Sequence, residues 1–200
     1  MWMRRLFLLT VVLALSGCAS LNQFSSQVST HGSWPQGRAP GSYAFERLPS
    51  QAAQPALQDQ LEAAARPALQ AAGFTEAPDA KQASVVVQLA AQVQVEPRPP
   101  LDNFWYPYGR WGWGGFWGPG RSGMALSLHM EPPYVQMSVS LLIRDRQTHD
   151  VLYETRARHD RLGAVDARLY PLLFEAALKD FPQVAVSPRT VTLTIPPQSR

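Results

Sequence analysis

The sequence contains a single cysteine, Cys18, and this scarcity limits its chemistry. One cysteine cannot form a disulfide within the chain, so the folded state depends on packing and hydrogen bonds for its stability. No cysteine follows residue 18, so the rest of the chain offers no thiol nucleophile.

Motifs that identify common enzymes are also missing. There is no Gly-x-Ser-x-Gly elbow, no P-loop and no Gly-x-Gly-x-x-Gly that follows a strand. Among the four histidines, the best metal pair is His129 with Glu131, two residues apart on a predicted strand. Two ligands fall short of the four that a structural zinc site usually has. We therefore predict no metal, no cofactor and no enzymatic activity.

No apolar run is long enough to cross a membrane. The run Leu6–Leu15 holds nearly ten apolar residues, whereas a spanning helix needs about 20. It follows Arg4 and Arg5, and small residues come after it, which is the layout of a secretory signal.

The residues Leu15-Ser16-Gly17-Cys18 resemble the lipobox of bacterial lipoproteins. That resemblance implies that residues 1–17 are removed and that Cys18 becomes an acylated N-terminus. Ala19 follows where an aspartate is the usual inner-membrane retention signal of such lipoproteins. The resemblance therefore implies an outer-membrane location, with acyl chains as the membrane anchor.

A strong excess of one charge is absent as well. The chain has 18 basic and 15 acidic residues. Removal of Arg4 and Arg5 with the signal leaves 16 basic residues, so the mature chain is nearly neutral. This balance gives no electrostatic reason to expect nucleic acid as a partner.

The remaining residues predict one α+β domain behind a flexible segment. Residues 18–40 are rich in Ser, Gln, Gly and Pro and predict an acylated N-terminus and tether, with room for a short strand at Ser26–Thr30. Residues 41–197 show alternating strand patterns and two helical patterns. The order of these patterns predicts a two-layer sandwich, in which a mainly antiparallel sheet carries both helices on one face. The predicted strands are Ser42–Leu48, Ala83–Val95, Met124–Met130, Tyr134–Arg144, Val151–Arg158 and Thr190–Ile195, and the predicted helices are Ala52–Ala72 and Val165–Asp180.

Residues 96–123 form a segment rich in Trp, Gly and Pro, which predicts a long loop inserted between two strands. Three interpretations of its aromatic side chains remain open. They cover the sheet as a local core, they lie at a membrane–water boundary, or they bind a glycan or a protein partner. The candidate binding residues of this loop are Trp105, Tyr106, Tyr108, Arg110, Trp111, Trp113, Phe116 and Trp117.

A second candidate surface is a group of arginines on a predicted hairpin: Arg144, Arg146, Arg156 and Arg158. Alternation places Arg156 and Arg158 on one strand face, with Arg144 and Arg146 on the corresponding face across the hairpin. One interpretation is a solvated sheet face with cross-strand ion pairs. The other is an anion-binding patch for lipid headgroups or an acidic glycan.

Several segments are similar to the lipoproteins of domain-of-unknown-function family 4136. The matching segments are Ser42–Phe45, Leu69–Phe74, Ala83–Gln88, Leu141–Asp145, Val151–Glu154 and Leu173–Pro182. No activity is established for the family, so the resemblance implies a fold and no reaction.

Taken together, these patterns predict a non-enzymatic, lipid-anchored protein of the cell envelope, at the periplasmic face of the outer membrane. We expect it to act by binding or by structural support. Its expected partners are the membrane, through the acyl chains, and an envelope protein or glycan. The alternative is an envelope-glycan-binding enzyme or enzyme accessory that uses the aromatic loop.

Overall fold

The computed structural model describes residues 23–97 and 132–195, which form a mixed α/β fold with one seven-stranded sheet. The strands are β1 (Gln23–Gly32), β2 (Ser42–Phe45), β3 (Thr75–Glu76), β4 (Val85–Glu96), β5 (Tyr134–Asp145), β6 (Val151–Leu162) and β7 (Arg189–Thr194). The α-helices are α1 (Pro49–Ala52), α2 (Pro55–Ala71) and α3 (Tyr170–Leu178). Short 3-10 turns lie at Ala80–Gln82 and Ala167–Leu169.

The strand order in the sheet is β3-β2-β4-β5-β6-β1-β7. Most neighbours are antiparallel, as predicted, and only β2 runs parallel to its neighbours β3 and β4. Strands β4 and β5 pair along their whole length, from Val85 opposite Asp145 to Glu96 opposite Tyr134. Strand β6 then pairs with β5 from Tyr134 opposite Leu162.

The predicted tether at 18–40 is wrong over Gln23–Gly32, which forms strand β1 between β6 and β7 and is longer than the short strand expected at Ser26–Thr30. Phe24, Ser26, Val28 and Thr30 are buried in alternation. Two of these four side chains are polar, so the alternation of apolar residues is too weak to show in the sequence. Backbone hydrogen bonds to two neighbouring strands hold a segment whose composition resembles a linker.

The predicted helix Ala52–Ala72 forms as α2, which begins only at Pro55, and Ala53 and Gln54 separate it from the short helix α1 that ends at Ala52. Gln54 precedes Pro55 and has φ −126 and ψ 62, because a following proline disfavours helical backbone. Helix α2 then continues through Pro67.

Helix α2 ends at Ala71, one residue before its predicted end. Gly73 has φ +91, the left-handed conformation that suits glycine after a helix. The N–H of Phe74 donates to the carbonyl of Leu69 at 3.0 Å, and the N–H of Gly73 donates to that of Gln70 at 3.0 Å. These two bonds form a Schellman motif, and Phe74 enters the core.

Helix α3 covers Tyr170–Leu178 and is shorter than the predicted Val165–Asp180, with Pro171 in its first turn, where proline is favoured. Its residues Leu173, Phe174 and Ala177 are fully buried. The hydroxyl of Thr155, also fully buried, donates to the carbonyl of Ala177 at 2.9 Å. This bond connects the core side of β6 to the last turn of α3.

One core cluster joins the helices to the sheet. It includes Leu61 and Leu69 of α2, Leu173 of α3, and Leu89 and Leu141 of the sheet. At its border, the Trp34 ring lies 4.8 Å from that of Phe181 and 5.8 Å from that of Phe74, centroid to centroid. Trp34 therefore packs against the core although the sequence placed it in the tether.

Candidate binding surface

The side of the sheet opposite the apolar core side chains carries mostly polar residues. On β5 the side chains of Val139, Leu141 and Ile143 are buried in the core, and the alternate residues Ser138 and Ser140 point the other way. We call this side the polar face. Neighbouring strands contribute Gln88, Gln92, Arg156, Arg158 and Gln27 to it through the observed register.

Arg156 lies near the middle of the polar face. Its Nη2 donates to Oε1 of Gln92 at 3.0 Å and to Oγ of Ser138 at 3.2 Å. Within the described parts of the chain it forms no ion pair with a carboxylate. Its positive charge is therefore exposed to solvent, and the groups that it hydrogen-bonds are neutral. Gln92 and Ser138 could not be predicted as its partners from the sequence, because they lie on two other strands.

Arg158 has a carboxylate partner on its own strand. Its guanidinium donates to both oxygens of Asp160, with Nη2 3.0 Å from Oδ2. These hydrogen bonds lower the pKa of Asp160 and raise that of Arg158. The pair is locally neutral and agrees with the interpretation of a solvated sheet face.

The predicted four-arginine patch is divided in the structure. Arg144 lies at the far end of the polar face and pairs with Glu46, the residue that follows β2. Arg144 and Arg156 are about 13 Å apart along the sheet, because four residues of about 3.3 Å separate their levels. Arg146 lies in the turn after β5, so it does not share the strand face. Only Arg156 and Arg158 are brought together as predicted.

Two depressions meet on the polar face. One of about 340 Å³ is lined by residues that include Gln92, Ser138 and Arg156. The other, of about 210 Å³, is lined by residues that include Gln88 and Glu154. Both contain Ala90 and Ser140, whose small side chains leave the space open. We call the combined feature the polar trough.

The turn between β5 and β6 has a structural role. The Asp145 carboxylate accepts from the N–H groups of Thr148 and Gln147 at 3.0 and 2.8 Å, and it pairs with Arg38 at 2.8 Å. The Thr148 bond, followed by that of Arg38, lowers the pKa of Asp145 to about 2. Asp145 therefore caps backbone N–H groups of the turn.

No cluster of three metal-ligating side chains occurs within 23–97 and 132–195. His159 is occupied by local contacts: its Nδ1 lies 2.7 Å from the carbonyl oxygen of Ser25, and its ring lies 4.4 Å from that of Phe24. No helix in these two stretches is long and apolar enough to span a bilayer. The lipidation residue Cys18, the pair His129 and Glu131, and all eight candidate residues of the aromatic loop lie outside the described residues.

A family model matches residues 27–183, which include the part of β1 from Gln27 onward, strands β2 to β6 and all three helices. The chain belongs to the family Domain of unknown function (DUF4136). No curated protein matches this DUF4136 chain.

Solved structures resemble the DUF4136 chain at low sequence identity. A PDZ domain protein from Parabacteroides distasonis has 12% identity and a TM-score of 0.52, and the match covers 90% of this chain and 41% of that one. A PelC dodecamer from Paraburkholderia phytofirmans has 14% identity and a TM-score of 0.41, with 76% and 95% covered. The chain thus spans less than half of the PDZ domain protein, and the likeness to that structure concerns the fold alone.

Proposed function

We propose that this protein is an exported, lipid-anchored component of the cell envelope that acts by binding or by structural support at the periplasmic face of the outer membrane. The observation that carries the proposal is the sequence Leu15-Ser16-Gly17-Cys18 after a short apolar run. The described residues support it with a folded core and a polar face that is open to a partner.

The location of β1 makes the proposed attachment short. Only four residues, Ala19 to Asn22, separate Cys18 from Gln23, the first residue of β1. Five residue steps of at most about 3.6 Å span about 18 Å. An acylated Cys18 would therefore hold the sheet close to the lipid headgroups, whereas the predicted 22-residue tether would have allowed it to move away.

Metabolic labelling with palmitate in a bacterial host tests the anchor. We expect label on the wild-type chain and none on Cys18→Ala, because the thiol is the acceptor of the diacylglyceryl group. A matched control is Ser16→Ala, which keeps the thiol and a small residue before the cut. Equal labelling of Cys18→Ala and wild type would overturn the proposal.

The finer architecture is part of the same proposal. We take the domain to be a two-layer sandwich with α2 and α3 on one face, because Leu61 and Leu173 share a core cluster with Leu141 of the sheet. This arrangement leaves the polar face as the surface available to an envelope partner. Hydrogen–deuterium exchange with the partner present would then protect β5 and β6 and leave α2 unchanged.

The polar trough favours a second candidate, a role in envelope-glycan binding, either as an accessory or as an enzyme that uses the aromatic loop. Its lining offers hydroxyl, amide, guanidinium and carboxylate groups, which suit a ligand rich in hydroxyl groups. Binding to purified peptidoglycan or lipopolysaccharide should weaken in Arg156→Gln and in the triple change of Trp111, Trp113 and Trp117 to alanine. Arg168→Gln, at an exposed arginine outside the trough, is the control. Absence of binding by the wild-type chain would remove this candidate.

A further inference from the structure

Both ends of the sheet can be located from the strand registers. Glu96 pairs with Tyr134, and Tyr134 pairs with Leu162. On the other side of β6, Gln27 pairs with Arg158, which puts Gln23 level with Leu162, and Gln23 itself pairs with Thr194. We call this the anchor end of the sheet. The opposite, hairpin end contains the turn between β5 and β6.

The chain outside the described residues starts from the anchor end. Residues 1–22 continue from Gln23, and residues 98–131 leave at Pro97 and return at Pro132, beside Glu96 and Tyr134. The distance of at most about 18 Å from Cys18 to Gln23 is half the length of β6, whose 11 residue steps of about 3.3 Å span about 36 Å. The anchor end can therefore contact a membrane that holds Cys18. The hairpin end could contact this membrane only if the domain tilted strongly.

Apolar side chains are exposed at this end. Val95, at the end of β4, is 51% exposed, and Leu162 and Val165, at and after the end of β6, are each 47% exposed. Exposed aliphatic residues also occur elsewhere, such as Val151 at the hairpin end. Exposure alone therefore does not choose an end, and the short connection to Cys18 decides between them.

Charge contributes little at the anchor end. Arg161 and Arg168 both contact Asp166, with Nη1 of Arg161 3.7 Å and Nε of Arg168 2.9 Å from its carboxylate oxygens. Glu96 adds a further negative charge. Because its charges nearly balance, this surface is suited to contact with the apolar side of the headgroup region rather than with anionic headgroups.

We propose that the anchor end of the sheet rests on the phospholipid surface, with Val95, Leu162 and Val165 inserted at the headgroup boundary. The protein then stands with its strands upright and its hairpin end directed away from the bilayer. This inference rests on the proposed acylation of Cys18.

Cysteine-directed fluorescence quenching tests this orientation on the full acylated chain. Acylation blocks Cys18, so an introduced cysteine is the only free thiol. Leu162→Cys and Val95→Cys place a fluorophore at the anchor end, and Thr148→Cys places it in the exposed turn at the hairpin end. Each chain is reconstituted in vesicles of phosphatidylethanolamine and phosphatidylglycerol at 3:1 that carry a headgroup-attached quencher.

We expect at least twofold stronger quenching at residues 95 and 162 than at residue 148. Omitting phosphatidylglycerol should leave this ratio unchanged, because the contact is apolar. Equal quenching at the two ends, or stronger quenching at residue 148, would overturn the inference. Two anchor-end positions are used so that the test still works if one variant fails to fold. Circular dichroism shows whether each variant is folded. A chain that incorporates no palmitate contradicts the proposed function itself, whereas an acylated chain without the quenching ratio contradicts only the orientation.

Discussion

Replacing Thr155 by valine isolates the hydrogen bond between β6 and α3. Threonine and valine have nearly the same shape, and Thr155 is fully buried, so the change removes the hydroxyl without opening a cavity. The bond from Oγ1 to the carbonyl of Ala177 is 2.9 Å long. A continued helix would supply the N–H of Phe181 to that carbonyl, but this group donates to Leu178 instead.

The variant therefore leaves a carbonyl in the core without its donor. Leaving a buried acceptor unsatisfied costs about 1–3 kcal/mol. The valine side chain avoids the desolvation of a hydroxyl, so we expect the lower half of that range, about 1.5 kcal/mol, which is roughly a tenfold change in the unfolding equilibrium.

Urea unfolding monitored by circular dichroism measures this difference. The midpoint should fall while the m-value stays constant, because the surface exposed on unfolding is unchanged. Thr192→Val is the matched control, since its hydroxyl bonds to that of Ser25 at 3.1 Å in an exposed position. We expect the control to change the free energy of unfolding by less than about 0.5 kcal/mol. If Thr155→Val lowers the free energy of unfolding no more than Thr192→Val does, the hydroxyl bond does not stabilise the packing of α3 against the sheet.

Three further predictions concern the core, the backbone and pH. Leu173→Ala, at a fully buried residue of α3, should lower the free energy of unfolding by about 3 kcal/mol in urea titrations, and a loss below about 1 kcal/mol would contradict its place in the core. Gly32→Ala should destabilise the fold more than Gly37→Ala in the same assay: both glycines have positive φ, but a Cβ at Gly32 would lie 2.7 Å from a backbone oxygen, and one at Gly37 meets nothing within 4 Å. The pKa of Asp145 should be about 2 by carbon-detected NMR titration, and Arg38→Gln should raise it without restoring 3.8, because the Thr148 amide is the larger cause. Since this folded-state pKa is below the ordinary value, ionised Asp145 stabilises the fold above about pH 4, and that contribution disappears as pH falls toward 2. A pKa at or above 3.8 in the native chain would exclude this cap.

The elements with strong apolar alternation could be predicted from the sequence. The alternation in β4 and β5 marks a buried side, which Val85, Val87 and most apolar residues of β5 occupy, although Val93 and Val95 continue the β4 pattern and are exposed. The end of α2 also lies within one residue of its prediction. Such signals are local, because the spacing of apolar residues along one strand or helix shows which of its sides is buried.

Features that depend on distant partners could not be predicted. Strand β1 has two buried polar residues, Ser26 and Thr30, whose burial follows only from its location between β6 and β7. The partners of Arg156 lie 18 and 64 residues away in sequence, on β5 and β4. The distance between Arg144 and Arg156 follows from the register of β5 with β6, which alternation within one strand does not determine.

The location of β1 has a consequence for the order of folding. Among the described strands, the first in sequence, β1, pairs with the last, β7, with Gln23 opposite Thr194, and its other neighbour is β6. Contacts of such long sequence separation form late, because the intervening chain must be ordered first. In a chain that emerges N-terminus first, from the ribosome or through the export that we propose, β1 precedes both of its neighbours. The seven-stranded sheet can be completed only after β7 has emerged, so a chain stopped before β7 would expose β1 as an edge strand.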